Sequence, residues 1–420
     1  MKALERARTV YAEYPRQFWI LLGSSFIDSV GGAMMFPYFT LYLTKRFGVG
    51  MTEVGLVFAV FSITGVIGST IGGALTDRLG RKSMLIFGLV ASATSTLLMG
   101  LANSFALFVT VALVVGMMAN TGQPAQRAMV ADLLPAEKRT QGFAMLRVVH
   151  NAAVALGPAI GGFVAARSYM ALFVTDAIAS TITATILYFA IRESRPISAS
   201  EAAGEAQPGI LKTFGGYFVA LRNGTFMLFM GAYLLQIMAS QQMFSTLPVF
   251  MRDYRGFSEQ SFGFVVTLNG LMVVLFQFPI TRACSKIARL RLMALGAVFY
   301  AAGLVMFGLV TPYVLFLLAM GIATIGEMMT APTSQAMASE LAPEDMRGRF
   351  MAVYGLSWSV SSAIAPTLAG IVIDGGHANW VWYGASILGL VAAAAYMGLQ
   401  RRLQRRQRAG SNAAQPATLS

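Results

Sequence analysis

Charge is scarce in this chain, and acid is scarcer than base. Charged residues make up 12% of the 420 positions, with 18 Asp and Glu against 31 Lys and Arg. Soluble domains carry about 25% charged residues, so the chain lacks the polar surface of a water-soluble globule. Cys284 is the single cysteine, which excludes an intramolecular disulfide framework. His150 and His377 are the two histidines; they lie far apart and give no metal-ligand spacing. No metal or other cofactor is expected. There is no HExxH, no P-loop, no Ser/His/Asp cluster and no paired-carboxylate motif, so nothing supports an integral-membrane enzyme.

What fills the chain is apolar: 56% of its residues are hydrophobic. They recur in nearly uncharged runs of about 20 residues, the length a helix needs to cross roughly 30 Å of hydrocarbon. The runs predict an all-α integral membrane protein with twelve helices, near 17–43, 52–75, 84–101, 105–130, 143–165, 170–191, 223–249, 259–281, 292–310, 313–338, 350–374 and 380–400. An even count puts both termini on one side. If that side is the cytoplasm, only Lys45, Arg46, Arg167, Arg252 and Arg255 lie outside, and the other bases, with RRLQRRQR (401–408), lie inside. This is the asymmetry of the positive-inside rule. The net charge of +13 therefore reports topology, not nucleic-acid binding. The first apolar run continues to Leu43, too long for a signal-peptide core, and no small-residue cleavage site follows, so the helix is expected to be retained. A multi-pass protein of the cell membrane with cytoplasmic termini is expected, bounded by lipid and acting as a monomer.

The chain is also written twice, at an offset of 208. PAQRAMVADLLPAEKR (124–139) faces PTSQAMASELAPEDMR (332–347), with Asp132 matched by Glu340. GPAIGG (157–162) faces APTLAG (365–370), and Gly55 and Gly88 meet Gly263 and Gly296. Such agreement predicts a duplicated six-helix unit. The expected organisation is an N-terminal bundle (1–191), a cytoplasmic linker (192–222) rich in Ser, Ala, Glu and Pro, a C-terminal bundle (223–400) and a basic cytoplasmic tail (401–420). Two such bundles around a central cavity suit alternating access to the two sides of a membrane.

One polar knot interrupts the apolar text, GGALTDRLGRKS (72–83), between the second and third helices. Gly73, Asp77, Arg78, Gly80, Arg81 and Lys82 match the G-x-x-x-D-R-x-G-R-K loop signature, and with the repeat the chain resembles the major facilitator superfamily. The resemblance covers all twelve helices but is shared by importers and exporters. Physically, Gly73 and the pair Gly68 and Gly72 let helix backbones approach, and Gly80 permits a sharp turn. Asp77 can accept bonds from a neighbouring helix N-terminus, while Arg78 and Arg81 can reach Asp132. The resemblance implies that Asp77 latches the inner ends of the two bundles; the competing reading is that the bases only follow positive-inside. The matching loop, ITRACSKIARLRLM (280–293), keeps bases but lacks the acid and both loop glycines, so the gate is expected to be asymmetric. The mid-membrane arginine often found in the family's fourth helix is missing, leaving Arg127 or Arg147 as substitutes or as helix-end bases.

The fifth helix carries Gly157, Pro158, Gly161 and Gly162 in GPAIGG, similar to the G-P-x-x-G-G element of the superfamily's antiporters, with Ala153 where a glycine often stands. Pro158 removes one backbone hydrogen bond and kinks the helix, and the glycines allow close packing. The plain alternative is an ordinary packing face. Ionisable groups in hydrocarbon cost several kcal/mol unless they face a cavity or a partner. Asp28 sits mid-way along the first helix and Glu327 mid-way along the tenth; in this superfamily both helices line the cavity, and acids there resemble proton- and cation-binding residues of multidrug exporters. The rival reading is an interhelical hydrogen bond. Arg147 and His150, one turn apart, are further candidates; Asp176 is a weaker one, and Asp374 and His377 belong to the outer rim. Abundant Met, Phe and Tyr suit loosely specified lipophilic ligands. The expected function is proton-coupled export of lipophilic or cationic small molecules, resembling the drug:proton antiporters. The alternatives are a carrier of a metabolite, lipid or peptide, and a non-transporting receptor.

Overall fold

The computed structural model describes residues 11–194, 219–343 and 346–413; within them, the side chains at 77, 115, 136, 140 and 406–413 lie outside the described residues. All regular elements among them are helical. Eleven are long and apolar enough to cross a membrane. Helices 1 to 6 are Arg16–Phe47, Met51–Leu79, Arg81–Leu101, Phe105–Leu133, Ala136–Ala165 and Tyr169–Ala190. Helices 8 to 12 are Glu259–Ala283, Arg289–Leu309, Tyr313–Glu340, Arg347–Asp374 and Ala378–Ala413. Helix 7, Gly224–Ser245, also has the length, with 22 residues, and stands where the seventh run predicts it. Gln236, Gln241 and Gln242 thin its hydropathy, and all three are buried. Helix 12 runs past its expected end through the arginine-rich stretch for a total of 36 residues.

Helix 4 departs from the expected continuous span. It consists of Phe105–Ala119 and Gly122–Leu133, separated at Asn120 and Thr121. Asn120 Nδ2 donates to the Gly116 carbonyl at 2.8 Å and Thr121 Oγ1 to that of Met118 at 2.7 Å, so local side chains replace ladder bonds. Pro124 then lacks the N–H that would continue the ladder to residue 120.

Two compact units divide the chain. Of the described residues, one holds 11–194 together with 244–274 and 366–371, so the end of helix 7, most of helix 8 and a short stretch of helix 11 belong to it. In it helix 1 packs on helices 5 and 6, and helix 3 on helices 4 and 6. Phe18, Leu21, Leu85, Met129 and Leu187 lie in its core. The other unit holds the described residues 219–243, 275–343, 346–365 and 372–413, with helix 9 packed on helices 10 and 12 over Phe226, Phe229, Met293, Phe350 and Tyr396.

Contacts repeat at the sequence offset. Arg81 pairs with Asp132 in one unit and Arg289 pairs with Glu340 in the other, each partner 208 residues on. Gly162 meets the backbone of Glu259 and Gln260, and Gly370 meets that of Met51 and Thr52; these are the same crossings with the halves exchanged. Helix 5 thus crosses helix 8 as helix 11 crosses helix 2.

Candidate functional site

At the knot, Gly80 adopts φ +99°, a region open to glycine, and turns helix 2 into helix 3 without a linker. Arg81 Nε donates to Asp132 Oδ2 at 2.9 Å, and its Nη1 to the Thr76 carbonyl at 3.2 Å. Lys82 Nζ donates to the Tyr188 carbonyl at 2.7 Å. The expected reach of Arg81 to Asp132 is therefore present. Arg78 is exposed, and the Asp77 side chain lies outside the described residues. Close approach of helices 2 and 4 rests on Gly68 and Gly72, where a Cβ would run into the Met117 and Thr121 carbonyl oxygens. It does not rest on Gly73, whose Cβ would meet Pro124 at an ordinary 4.0 Å. Sequence reading missed Glu193, whose carboxylate accepts from the backbone N–H of Arg81 (2.8 Å) and Lys82 (3.1 Å), capping helix 3. Its one signal is an acid directly after helix 6.

In helix 5, a Cβ on Gly157 would stand 2.5 Å from that of Ala33 and one on Gly161 would strike the Met34 carbonyl, so these glycines seat helix 1. A Cβ on Gly162 would meet both Tyr38 Oη, at 2.8 Å, and helix 8, at 3.1 Å from Gln260 Cα. Tyr38 Oη donates to the Pro158 carbonyl at 2.6 Å. Beyond this element, Tyr169 Oη donates to Glu259 at 2.9 Å and Arg252 Nη2 to Thr44 Oγ1 at 2.9 Å.

The carboxylates fall into two settings. Asp28, half-buried, accepts from Ser180 Oγ at 2.7 Å. Asp176, 5% exposed, accepts from Thr96 Oγ1 at 2.8 Å and lies within electrostatic reach of Asp28. Nothing along the chain marks them as neighbours; helices 1 and 6 bring them together. Asp28 also lines a cavity of about 270 Å³ with Ser25, Ser92, Asn120, Gln123 and Gln126. Glu327, in the other unit, is half-buried beside Gly326 and Met328, within electrostatic reach of the Tyr300 hydroxyl. A hydroxyl cluster continues from there: Tyr233 Oη and Tyr354 Oη are 2.8 Å apart, and Ser334 Oγ is 2.9 Å from Tyr354 Oη. Arg127, Arg147 and His150 are exposed, and the Asp28 cavity contains none of them. The glutamines of helix 7 were also missed as candidates. Gln236 accepts from Tyr396 Oη at 2.8 Å, Gln241 reaches Ser362, and Gln242 Nε2 donates to the Ala365 carbonyl at 3.0 Å. Three amides in one apolar run were their signal.

Carboxyl groups held among hydroxyls within apolar helices can exchange a proton for a cation, chemistry that needs no further group. The family model of the Major Facilitator Superfamily matches residues 21–261 and again 229–419. A Na(+), Li(+), K(+)/H(+) antiporter of Planococcus maritimus is 29% identical over 84% of this chain and 89% of its own length. The quinolone resistance protein NorA of Staphylococcus aureus is 24% identical over 86% of this chain and 90% of its own. The solved structure of the nucleoside transporter NupG shares the fold, with a TM-score of 0.78 at 14% identity over 91% of this chain and all of that one. Matched along nearly its whole length, and in each of its two repeats, this chain belongs to the major facilitator superfamily of membrane transporters.

Proposed function

We propose that the chain exports lipophilic, often cationic small molecules in exchange for protons, by alternating access across the cell membrane with both termini in the cytoplasm. The observation that carries this reading is the pair of acids, Asp28 and Glu327, set mid-way along two membrane helices. A carboxyl group in such a place is costly unless protonated or met by a counter-charge. Protons and cationic substrate therefore compete for it, and competition at one group is sufficient for antiport. A proton entering from outside displaces the cation, and a cation arriving from inside displaces the proton. The cation/proton antiporter and the quinolone resistance protein among the relatives support the exchange and the ligand class. The close seating of helix 5 on helices 1 and 8 suits an element that governs opening. Asp77, Arg78, Gly80, Arg81, Lys82 and Asp132 serve as the inner gate in this reading.

The test is transport by purified protein in proteoliposomes under an imposed proton gradient, against cationic dyes and neutral analogues. Gradient-driven movement of cations is expected, and Glu327→Gln should abolish it while sparing neutral compounds. Absence of gradient-driven transport of every cation tried would defeat the reading.

A further inference from the structure

The cavity beside Asp28 lies wholly within the first unit, lined by helices 1, 3, 4 and 6. Its volume of about 270 Å³ lies at the small end of the roughly 300–1,000 Å³ typical of small-molecule sites. At about 30 Å³ per water, it has room for an ion with part of its hydration shell. Oxygen dominates its polar lining: the Asp28 carboxylate, the Ser25 and Ser92 hydroxyls, and the amides of Asn120, Gln123 and Gln126. Gln126 Nε2 donates to Ser25 Oγ at 2.8 Å and Asn120 Nδ2 donates to the Gly116 carbonyl. Each of these nitrogens thus has an acceptor, and among the described residues neither amide oxygen receives a donor.

The break in helix 4 falls at this cavity. Phe105–Ala119 ends against it, bringing the last carbonyl groups of that segment to a point mid-way along the span, where Gly122–Leu133 begins. The Ala119 carbonyl oxygen would be 3.2 Å from a Cβ on Gly88, which also lines the cavity. Interrupted helices that present such ends within a membrane are suited to coordinating cations.

The second repeat shows that the fold does not impose this cavity. At the offset of 208, Ser25, Asp28, Ser92 and Asn120 correspond to Tyr233, Gln236, Tyr300 and Met328. There helix 10 runs unbroken over Tyr313–Glu340, and Tyr300, Gln236 and Met328 are buried. Large side chains fill what the first repeat leaves open and lined with oxygen.

We propose that this cavity binds a monovalent inorganic cation, with Asp28 as its charged ligand and the helix 4 break and side-chain amides completing an oxygen shell. One carboxylate lines the cavity and a second, Asp176, stands behind it on Thr96. Among the described residues no group of three His, Cys, Asp or Glu could hold a metal ion, which disfavours a divalent one. The inference goes beyond the export reading, because binding is measurable without transport.

The experiment uses the purified full chain in detergent, with sodium, lithium and potassium chlorides titrated against choline chloride at constant ionic strength. Binding is followed by radiolabelled sodium and by the unfolding midpoint, with calcium as a divalent control. Saturable binding is expected, weakened at least tenfold by Asp28→Asn and by Gln126→Leu and unchanged in Glu340→Gln, whose exposed ion pair lies in the other unit. Asp28→Asn keeps an oxygen for the Ser180 hydroxyl, and the midpoint in choline verifies that each variant is folded. Absence of saturable binding, wild-type affinity in folded Asp28→Asn, loss in Glu340→Gln, or stronger binding of calcium would each overturn the proposal. A chain that binds sodium but moves no dye leaves it standing and defeats the export reading; the reverse result defeats this proposal alone.

Discussion

Asp132 and Glu340 hold the same place in the two repeats but meet different surroundings. In the Arg81–Asp132 pair the side chains are 12% and 17% exposed; in the Arg289–Glu340 pair they are 51% and 55% exposed. Exposed ion pairs contribute about 0–1 kcal/mol, whereas leaving a partly buried charged group without its partner costs about 1–3 kcal/mol or more. Asp132→Asn should therefore lower the unfolding midpoint clearly and slow transport, while Glu340→Gln should do little to either. Equal effects in thermal unfolding would remove the distinction. Glu327 gives a second residue-scale prediction. Adding a cationic ligand to detergent-solubilised protein should release protons, and Glu327→Gln should release fewer; equal release would take Glu327 out of the mechanism. Asp28 and Glu327 were legible because an acid inside an apolar run is a rare symbol. The Asp176–Thr96 bond and the Glu193 cap were not, since each joins groups at least 80 residues apart that carry no mark of one another.

Helices 5 and 11 act as rigid elements whose small residues set how close helices 8 and 2 can come. A Cβ on Gly370 would run into the Met51 carbonyl, and one on Gly162 would stand 2.8 Å from Tyr38 Oη. Gly162→Leu and Gly370→Leu should each slow turnover several-fold while leaving equilibrium ligand affinity near wild type, as measured by paired transport and binding assays. Gly157→Leu and Pro158→Ala should act the same way through helix 1. Collapse of affinity with normal turnover of bound ligand would make the element a binding site instead. GPAIGG was readable as a packing device, but which glycine faces which helix depends on tertiary crossings. The break in helix 4 was written in ANTGQP (119–124), yet the apolar run on either side read as one span. Helix 7 was placed correctly, although its glutamines, satisfied by helices 11 and 12, take their meaning only from those partners.

Across the whole molecule, twelve helices and an internal duplication were legible because both follow from periodic patterns along the chain. The division into compact units was not, because it depends on crossings between segments some 100 to 300 residues apart, such as Gly162 with Gln260 and Gly370 with Met51. In the first unit those crossings are joined by the Tyr169–Glu259 and Arg252–Thr44 hydrogen bonds. Replacing Tyr169 and Glu259 by cysteine in a Cys284→Ala background should allow a thiol cross-linker to halt transport, with recovery on reduction. Undiminished transport by fully cross-linked protein would show that these ends need not part. Helix 12 carries a practical consequence. Its 36 residues at about 1.5 Å each make a rod of roughly 54 Å, against roughly 30 Å of hydrocarbon. A fluorophore fused after Ala413 would ride on a stiff lever and not a loose tether. Its polarisation would report the tilt of the second unit during turnover, with no label placed inside the membrane.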